Sequence, residues 1–281
     1  MTNLIRTLIY DDQVSLTLFD ATEAVKEGAR RHGLFGGAGT VFGKALCVMG
    51  FFSAALKNEK GDVSFAIESD GTMGTLQAAG NKALSLRACM QNPNAEGEES
   101  EVLGKSGTLT VVRDDGYSRP FVGTCDFPDE VSIDALFERY FAISEQLPTY
   151  LSSVVQTDEK GEVVFAGLAA LQPLPFTDEK TVQKMPRGEA LANVVKKMKT
   201  DGLEKVAKEY FSAKSSRIER RVVAYKCNCS REYLSKVILT LGERQLKEII
   251  AEEGKIGVHC QFCNTDYVFT EKDVDEILEK K

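Results

Sequence analysis

Apolar and polar residues change period several times along the first third of the chain. LIRTLIY at 4–10 and VSLTLFD at 14–20 read as strands, whereas ATEAVKEGARRHG at 21–33 has the spacing of a helix that stops at Gly33. A glycine-rich lead-in and a long apolar helix follow within GLFGGAGTVFGKALCVMGFFSAALKN, residues 33–58. Residues 62–90 read as three strands separated by the turn signals Asp70-Gly71 and Gly80-Asn81. Further strands are predicted in GTLTVVRDDG (107–116), YSRPFVGTCDF (117–127) and VVFAGLAALQPLP (163–175), and a helix in SIDALFERYFAISEQ (132–146) with its start marked by Ser132. Strands and helices mixed in this order predict an α+β domain, residues 1–177, around an antiparallel or mixed sheet.

The pattern changes where Pro173, Pro175 and Pro186 surround a polar stretch. Over 178–225 the period becomes helical: Leu191, Val194, Val195 and Met198 repeat at i, i+3, i+4, i+7, and after Gly202 so do Leu203, Val206, Ala207, Tyr210 and Phe211. Two readings stay open for this lysine-rich linker. It is a spacer packed on its neighbours, or it carries an apolar stripe that can detach. A third, small unit spans 226–281: a helix from the N-cap Ser230, a second helix ending at Gly254, a hairpin in KIGVHCQFCNTDYVFT (255–270) that turns at its cysteines, and a final helix in EKDVDEILEKK.

Composition narrows the classes. With 281 residues and 43% hydrophobic content the chain is long and apolar enough for one large or two ordinary cored domains. No apolar run reaches the ~18 residues of a membrane span, and MTNLIRTLIYDDQ turns acidic before a signal peptide forms; a cytoplasmic protein with no membrane partner is expected. A formal charge of -7 argues against nucleic acid as the main partner. The charge is uneven, with 14 basic and 24 acidic groups in 1–177, 12 and 7 in 178–225, and 9 and 11 in 226–281.

The cysteines carry the chemistry. Cys47, Cys89 and Cys125 lie in apolar company and read as small buried hydrophobes. Cys227 and Cys229 form a Cys-x-Cys pair, Cys260 and Cys263 a Cys-x-x-Cys pair, and the 30 residues between the pairs suit a tetrahedral four-cysteine zinc site that clamps two distant segments, one Zn2+ per chain. Four thiolates leave no open position for a catalytic water, so a zinc hydrolase is disfavoured. His259 is a competing ligand that four cysteines make unnecessary, and His32 reads as a cation at the end of a helix rather than a catalytic base. GGAGTVFGK fails both as a P-loop, with Ala38 and Ala45 where Gly and Ser or Thr are required, and as a dinucleotide fingerprint, with Phe42 at the third glycine. The pairs Asp11-Asp12 and Asp114-Asp115 read as turn residues. Thiolates are also what oxidants attack, and each close pair can collapse to a disulfide, which makes a reversible switch possible.

With these spacings the chain resembles the redox-regulated heat shock protein 33 family of bacterial holdase chaperones. The likeness includes Ser144, Glu145, Gln146, Pro148 and Thr149 of a Ser-Glu-Gln-x-Pro-Thr segment, GTLTVVRDDG, AALQPLP, and the tail with Tyr267 and Phe269 after the last cysteines. It departs at Leu168, where a second glycine is expected after Gly167, and in the three extra cysteines. The resemblance implies an α+β protein with a large mixed-sheet N-terminal domain, a helical linker and a small C-terminal four-cysteine zinc-binding domain. It implies a non-enzymatic, ATP-independent chaperone, inactive while reduced and zinc-bound. Oxidation to the disulfides Cys227-Cys229 and Cys260-Cys263 would release zinc, permit dimerisation and expose apolar surface to unfolding client proteins. Leu191, Val195, Leu203, Val206, Tyr210 and Phe211 are the candidates for client binding. The competing readings are a zinc-ribbon nucleic-acid module, supported only by the basic SSRIERR at 215–221, and a thiol oxidoreductase using Cys260 and Cys263.

Overall fold

The computed structural model describes residues 3–214 and 218–279, in two compact units, Met1–Tyr225 and Lys226–Lys281. In the first unit, β1 (Leu4–Ile9) and β2 (Val14–Asp20) pair as a hairpin whose turn places Tyr10, Asp11 and Asp12 at positive φ. Helix α1 (Thr22–His32) follows and ends at Gly33 in the left-handed conformation. Helix α2 (Gly36–Ala55) takes up the whole glycine-rich stretch. Next come β3 (Asp62–Ser69), β4 (Thr75–Asn81) and β5 (Ser85–Met90), the short helix α3 (Glu99–Leu103), β6 (Gly107–Asp114), β7 (Phe121–Asp126) and α4 (Ile133–Ile143), started by the Ser132 side chain accepting from the Ala135 N–H. Strands β8 (Tyr150–Thr157) and β9 (Val163–Pro173) precede helices α5 (Glu179–Lys184), α6 (Gly188–Asp201) and α7 (Leu203–Phe211), and the unit closes with β10 (Glu219–Arg221) and β11 (Ala224–Tyr225).

The α+β class is the predicted one, but the strands divide between two sheets. One is antiparallel throughout, in the order β10-β1-β2-β9-β8; the other runs β11-β5-β4-β3-β6-β7 and is mixed because β11 pairs parallel to β5. The stretch 178–225 is therefore not helical to its end: each sheet gains one edge strand from it. Strand β8 escaped the period test because four successive residues, Leu151–Val154, are buried on both faces, so its polar serines mark no exposed side.

Helix α2 lies between the sheets, against β2, β8 and β9 on one side and β3, β4 and β5 on the other. Burial on every side explains why it has no polar face. Its length and composition would suit a membrane span, which counting apolar runs did not detect, yet 83% of its most apolar window is buried inside the protein. Its glycines admit neighbours: a Cβ on Gly50 would stand 2.0 Å from the ring of the fully buried Phe19.

The other face of the antiparallel sheet is covered by α6 and α7. Ile5, Val14, Leu16, Leu18, Phe165 and Leu171 form one buried cluster with Leu191, Val195, Met198, Leu203, Val206 and Phe211. At the free edge of that sheet, α4 supplies acceptors: Glu138 Oε1 accepts the Leu151 N–H at 2.8 Å and Asp134 accepts the Ser153 N–H at 3.0 Å. Carboxylates i and i+4 on one helix face thus satisfy alternate backbone donors of an edge strand. Beside them Lys44 pairs with Glu99 at 2.5 Å. Burial raises the Asp134 carboxyl to about 6, against the opposing pull of Lys44 and Ser153.

The second unit holds α8 (Arg231–Leu239), α9 (Glu243–Glu253), the hairpin of β12 (Lys255–Cys260) and β13 (Thr265–Thr270), and α10 (Glu271–Glu279). Its fully packed interior consists of Leu234, Ile238, Leu246, Ile256, Phe269 and Val274. Arg231 ties α8 to β13 and α10, with its guanidinium 4.5 Å above the Phe269 ring, donating to the Val268 carbonyl at 2.8 Å and pairing with Asp273 at 2.8 Å.

Two outcomes are expected. Gly50→Ala forces Phe19 out of a filled core and should destabilise the first unit by about 1–3 kcal/mol, read as a lower urea midpoint. Because the native Asp134 pKa stands above its ordinary 3.8, the native state binds the extra proton; that contribution is complete below about 3.8 and is lost as pH rises through about 6. The difference in urea midpoint between the natural protein and Asp134→Asn should therefore change across this interval, and a constant difference would contradict the assignment.

Candidate metal centre

The four cysteines of the second unit come from two segments that local structure holds in place. Cys227 and Cys229 lie just before α8, whose first turn is fixed by the Ser230 side chain accepting from the Tyr233 N–H at 3.1 Å. Cys260 ends β12, and the turn to β13 is closed by the Cys260 carbonyl, which accepts from Asn264 N–H at 2.8 Å and Cys263 N–H at 3.3 Å. Asn264 takes the left-handed conformation there, a conformation asparagine tolerates better than most residues.

All four sulfur atoms lie within 4.8 Å of one another. Cys227 Sγ is 3.7 Å from Cys260 Sγ, and Cys229 Sγ is 3.2 Å from Cys263 Sγ. Tetrahedral zinc with Zn–S bonds of about 2.3 Å sets its sulfurs about 3.8 Å apart, so the arrangement fits a four-thiolate metal site. Among the described residues it is the group of metal-ligating side chains that comes together in this way. His259 is outside it: its Nδ1 lies 2.8 Å from Asp266 Oδ1 across the hairpin.

The thiols are not equivalent. Burial pushes Cys227 far above the usual thiol range and raises Cys263 as well. Burial also pushes Cys229 upward, but hydrogen bonds from Tyr267 and the neighbouring thiols outweigh it and bring Cys229 down to about 7. Tyr267 Oη lies 3.3 Å from Cys229 Sγ, and that contact raises the tyrosine well above its ordinary value.

The remaining sequence candidates sit elsewhere. Cys47, Cys89 and Cys125 are buried in the first unit, where burial raises the Cys47 thiol well above its usual range and Cys125 to about 11. His32 stands in the last turn of α1, as read, and its Nε2 is 3.1 Å from Tyr225 Oη. Leu191, Val195, Leu203, Val206 and Phe211 are buried against the antiparallel sheet, whereas Tyr210, which the helical period put on the same stripe, is 44% exposed. Of the basic SSRIERR stretch, residues 215–217 lie outside the described residues. Arg220 there pairs with Glu204 at 2.7 Å, and Arg221 donates to the Lys82 carbonyl. Sequence reasoning missed the contact of Tyr267 with Cys229 and the bracing role of Arg231. The alternation of Thr265, Tyr267 and Phe269 on one face of β13 was the available signal for the first; Arg231 left none.

The profile of the family described as "Hsp33 protein" matches residues 2–270. Proteins named "33 kDa chaperonin" from Bacillus pumilus and Bacillus subtilis are each 28% identical to the chain over 291 aligned positions, covering 100% of it and 99% of their own lengths. The crystal structure of the 33 kDa chaperonin, a heat shock protein 33 homolog, from Thermotoga maritima superposes with a TM-score of 0.81 at 28% identity, covering 99% of this chain and 98% of that one. A match that runs the length of the chain, through both units and all four clustered cysteines, carries one conclusion: the chain belongs to the Hsp33 family of chaperones.

Proposed function

We propose that the protein is an ATP-independent holdase of the cytoplasm that oxidation switches on. Residues 1–177 form its core, 178–225 the linker that covers apolar surface, and 226–281 the switch, with Cys227, Cys229, Cys260 and Cys263 as ligands of one Zn2+. The convergence of four sulfurs within 4.8 Å in a unit with so small a core is the observation that carries this reading. When bound, zinc supplies the positive charge that lets four neighbouring sulfurs ionise together and joins the two segments. A structural site of this kind is worth on the order of 10–16 kcal/mol, against about 5–15 kcal/mol for the stability of a whole domain.

Loss of the thiolates then removes the clamp. A thiolate attacks one oxygen of a hydroperoxide, the O–O bond breaks, and hydroxide or alkoxide leaves while sulfur becomes a sulfenic acid. A neighbouring thiolate attacks that sulfur, hydroxide departs and takes up a proton as water, and each disulfide reduces one peroxide by two electrons. The proposed pairs are Cys227-Cys229 and Cys260-Cys263. Every sulfur also has a cross-segment neighbour, at 3.7 Å for Cys227 and Cys260 and 3.2 Å for Cys229 and Cys263, so peptide mapping is the deciding measurement.

With the small unit open, α6 and α7 are free to leave the antiparallel sheet. Leu191, Val195, Leu203, Val206 and Phe211 would then be uncovered together with Leu16 and Leu18 of the sheet, adding to Tyr210, which is already exposed. That surface would bind unfolding clients and let two active chains pair.

Reduced protein is expected to hold one zinc per chain and leave a thermally denatured client to scatter light. After peroxide treatment it should have released the metal, formed the two short-range disulfides and suppressed the scattering. Reduced protein without zinc, or oxidised protein without protection, would overturn the reading.

A further inference from the structure

Thr265, Tyr267 and Phe269 alternate along β13, and the strand's anchor is Phe269, fully buried and capped by the Arg231 guanidinium at 4.5 Å. This fixes the ring of Tyr267, two residues earlier, opposite Val258 of β12. From there its hydroxyl reaches across to the other cysteine segment, 3.3 Å from Cys229 Sγ. A ligand thiolate has no hydrogen to offer, so in the metal-loaded state the phenolic O–H is the donor and the sulfur the acceptor.

We infer that Tyr267 is a positioning residue for the switch: its hydroxyl donates to the Cys229 sulfur, strengthens the hold on the metal and keeps Cys229 from being the first sulfur oxidised. The inference rests on the zinc-thiolate reading above and deepens it. Attack on a peroxide uses a sulfur lone pair to form an S–O bond while the O–O bond breaks and hydroxide leaves. A hydrogen bond to that sulfur draws on the same electron density and occupies one side of approach. Groups hydrogen-bonded to metal ligands typically change metal affinity by 10–100-fold when removed. Oxidation then begins at another of the four cysteines, and Cys229 enters as the thiolate that resolves the Cys227 sulfenic acid or as a late target.

Tyr267→Phe keeps the ring and removes only the hydroxyl. Zinc affinity is measured by competition with a chromophoric chelator, and the first sulfenic acid is trapped with dimedone during limited peroxide treatment and located by mass spectrometry. The variant should bind zinc about 10–100-fold more weakly and carry early label at Cys229, where the natural protein carries it elsewhere. Circular dichroism of the zinc-loaded variant verifies that the unit is folded. Equal affinity and the same order of labelling in two folded, zinc-loaded proteins would overturn this inference alone; natural protein that takes up no zinc would overturn the functional reading together with it.

Discussion

Four sulfur atoms within 4.8 Å of one another cannot all carry charge without a cation among them, and the second unit depends on that constraint. The conflict is visible in the protonation of the group, in which burial drives Cys227 up while Cys229 falls to about 7. Metal resolves it by neutralising the thiolates, and disulfides resolve it by removing them. These two resolutions have opposite structural consequences. The first would join the segment preceding α8 to the turn between β12 and β13; the second, in the pairing proposed above, would close each pair on itself and leave only a handful of apolar residues to hold the unit. On the proposed function, a small core is what would make the unit responsive to the state of its sulfurs, since a larger one would stay folded in either condition.

In the first unit the corresponding feature is the second face of the antiparallel sheet. A sheet buried on one face by α2 and the mixed sheet still presents Ile5, Leu16, Leu18 and Leu171 on the other, and α6 and α7 cover them. Those helices belong to the stretch that leads into the second unit. Their outer faces carry Lys196, Lys197, Lys199, Lys205 and Lys208, so the apolar stripe is confined to the side that meets the sheet. Helices of nine and fourteen residues are marginal in isolation and take their order from such packing.

Much of this was legible in the sequence because it follows from local chemistry. Gly33, Ser132, Ser230 and Gly254 act as the helix stops and starts their types suggest, and the hairpin does turn at Cys260 and Cys263. The cysteine spacing identified the group that comes together, since two close pairs far apart in the chain suit a tetrahedral four-thiolate site. The division into two sheets was not legible, because it depends on which strands pair across long separations: β9 with β2, and β10 with β1. Strand β8 was hidden by burial on both faces, and the three-residue β10 by its charged sequence, ERR. Tyr210 shows the limit of periodicity, since a ring on the predicted stripe stands at its margin and meets solvent.

The distribution of thiols separates the clustered cysteines from the rest of the molecule. Cys47, Cys89 and Cys125 are enclosed in the first unit, and burial holds Cys47 and Cys125 in the protonated form that oxidants attack slowly. The clustered cysteines, by contrast, are partly exposed at Cys227, Cys229 and Cys260, and hydrogen bonds bring the Cys229 thiol down to about 7. Selectivity among seven chemically identical side chains therefore arises from solvation and hydrogen bonding. An oxidant of modest strength can discriminate between the two sets, because Cys47, Cys89 and Cys125 are enclosed while three of the clustered sulfurs meet solvent.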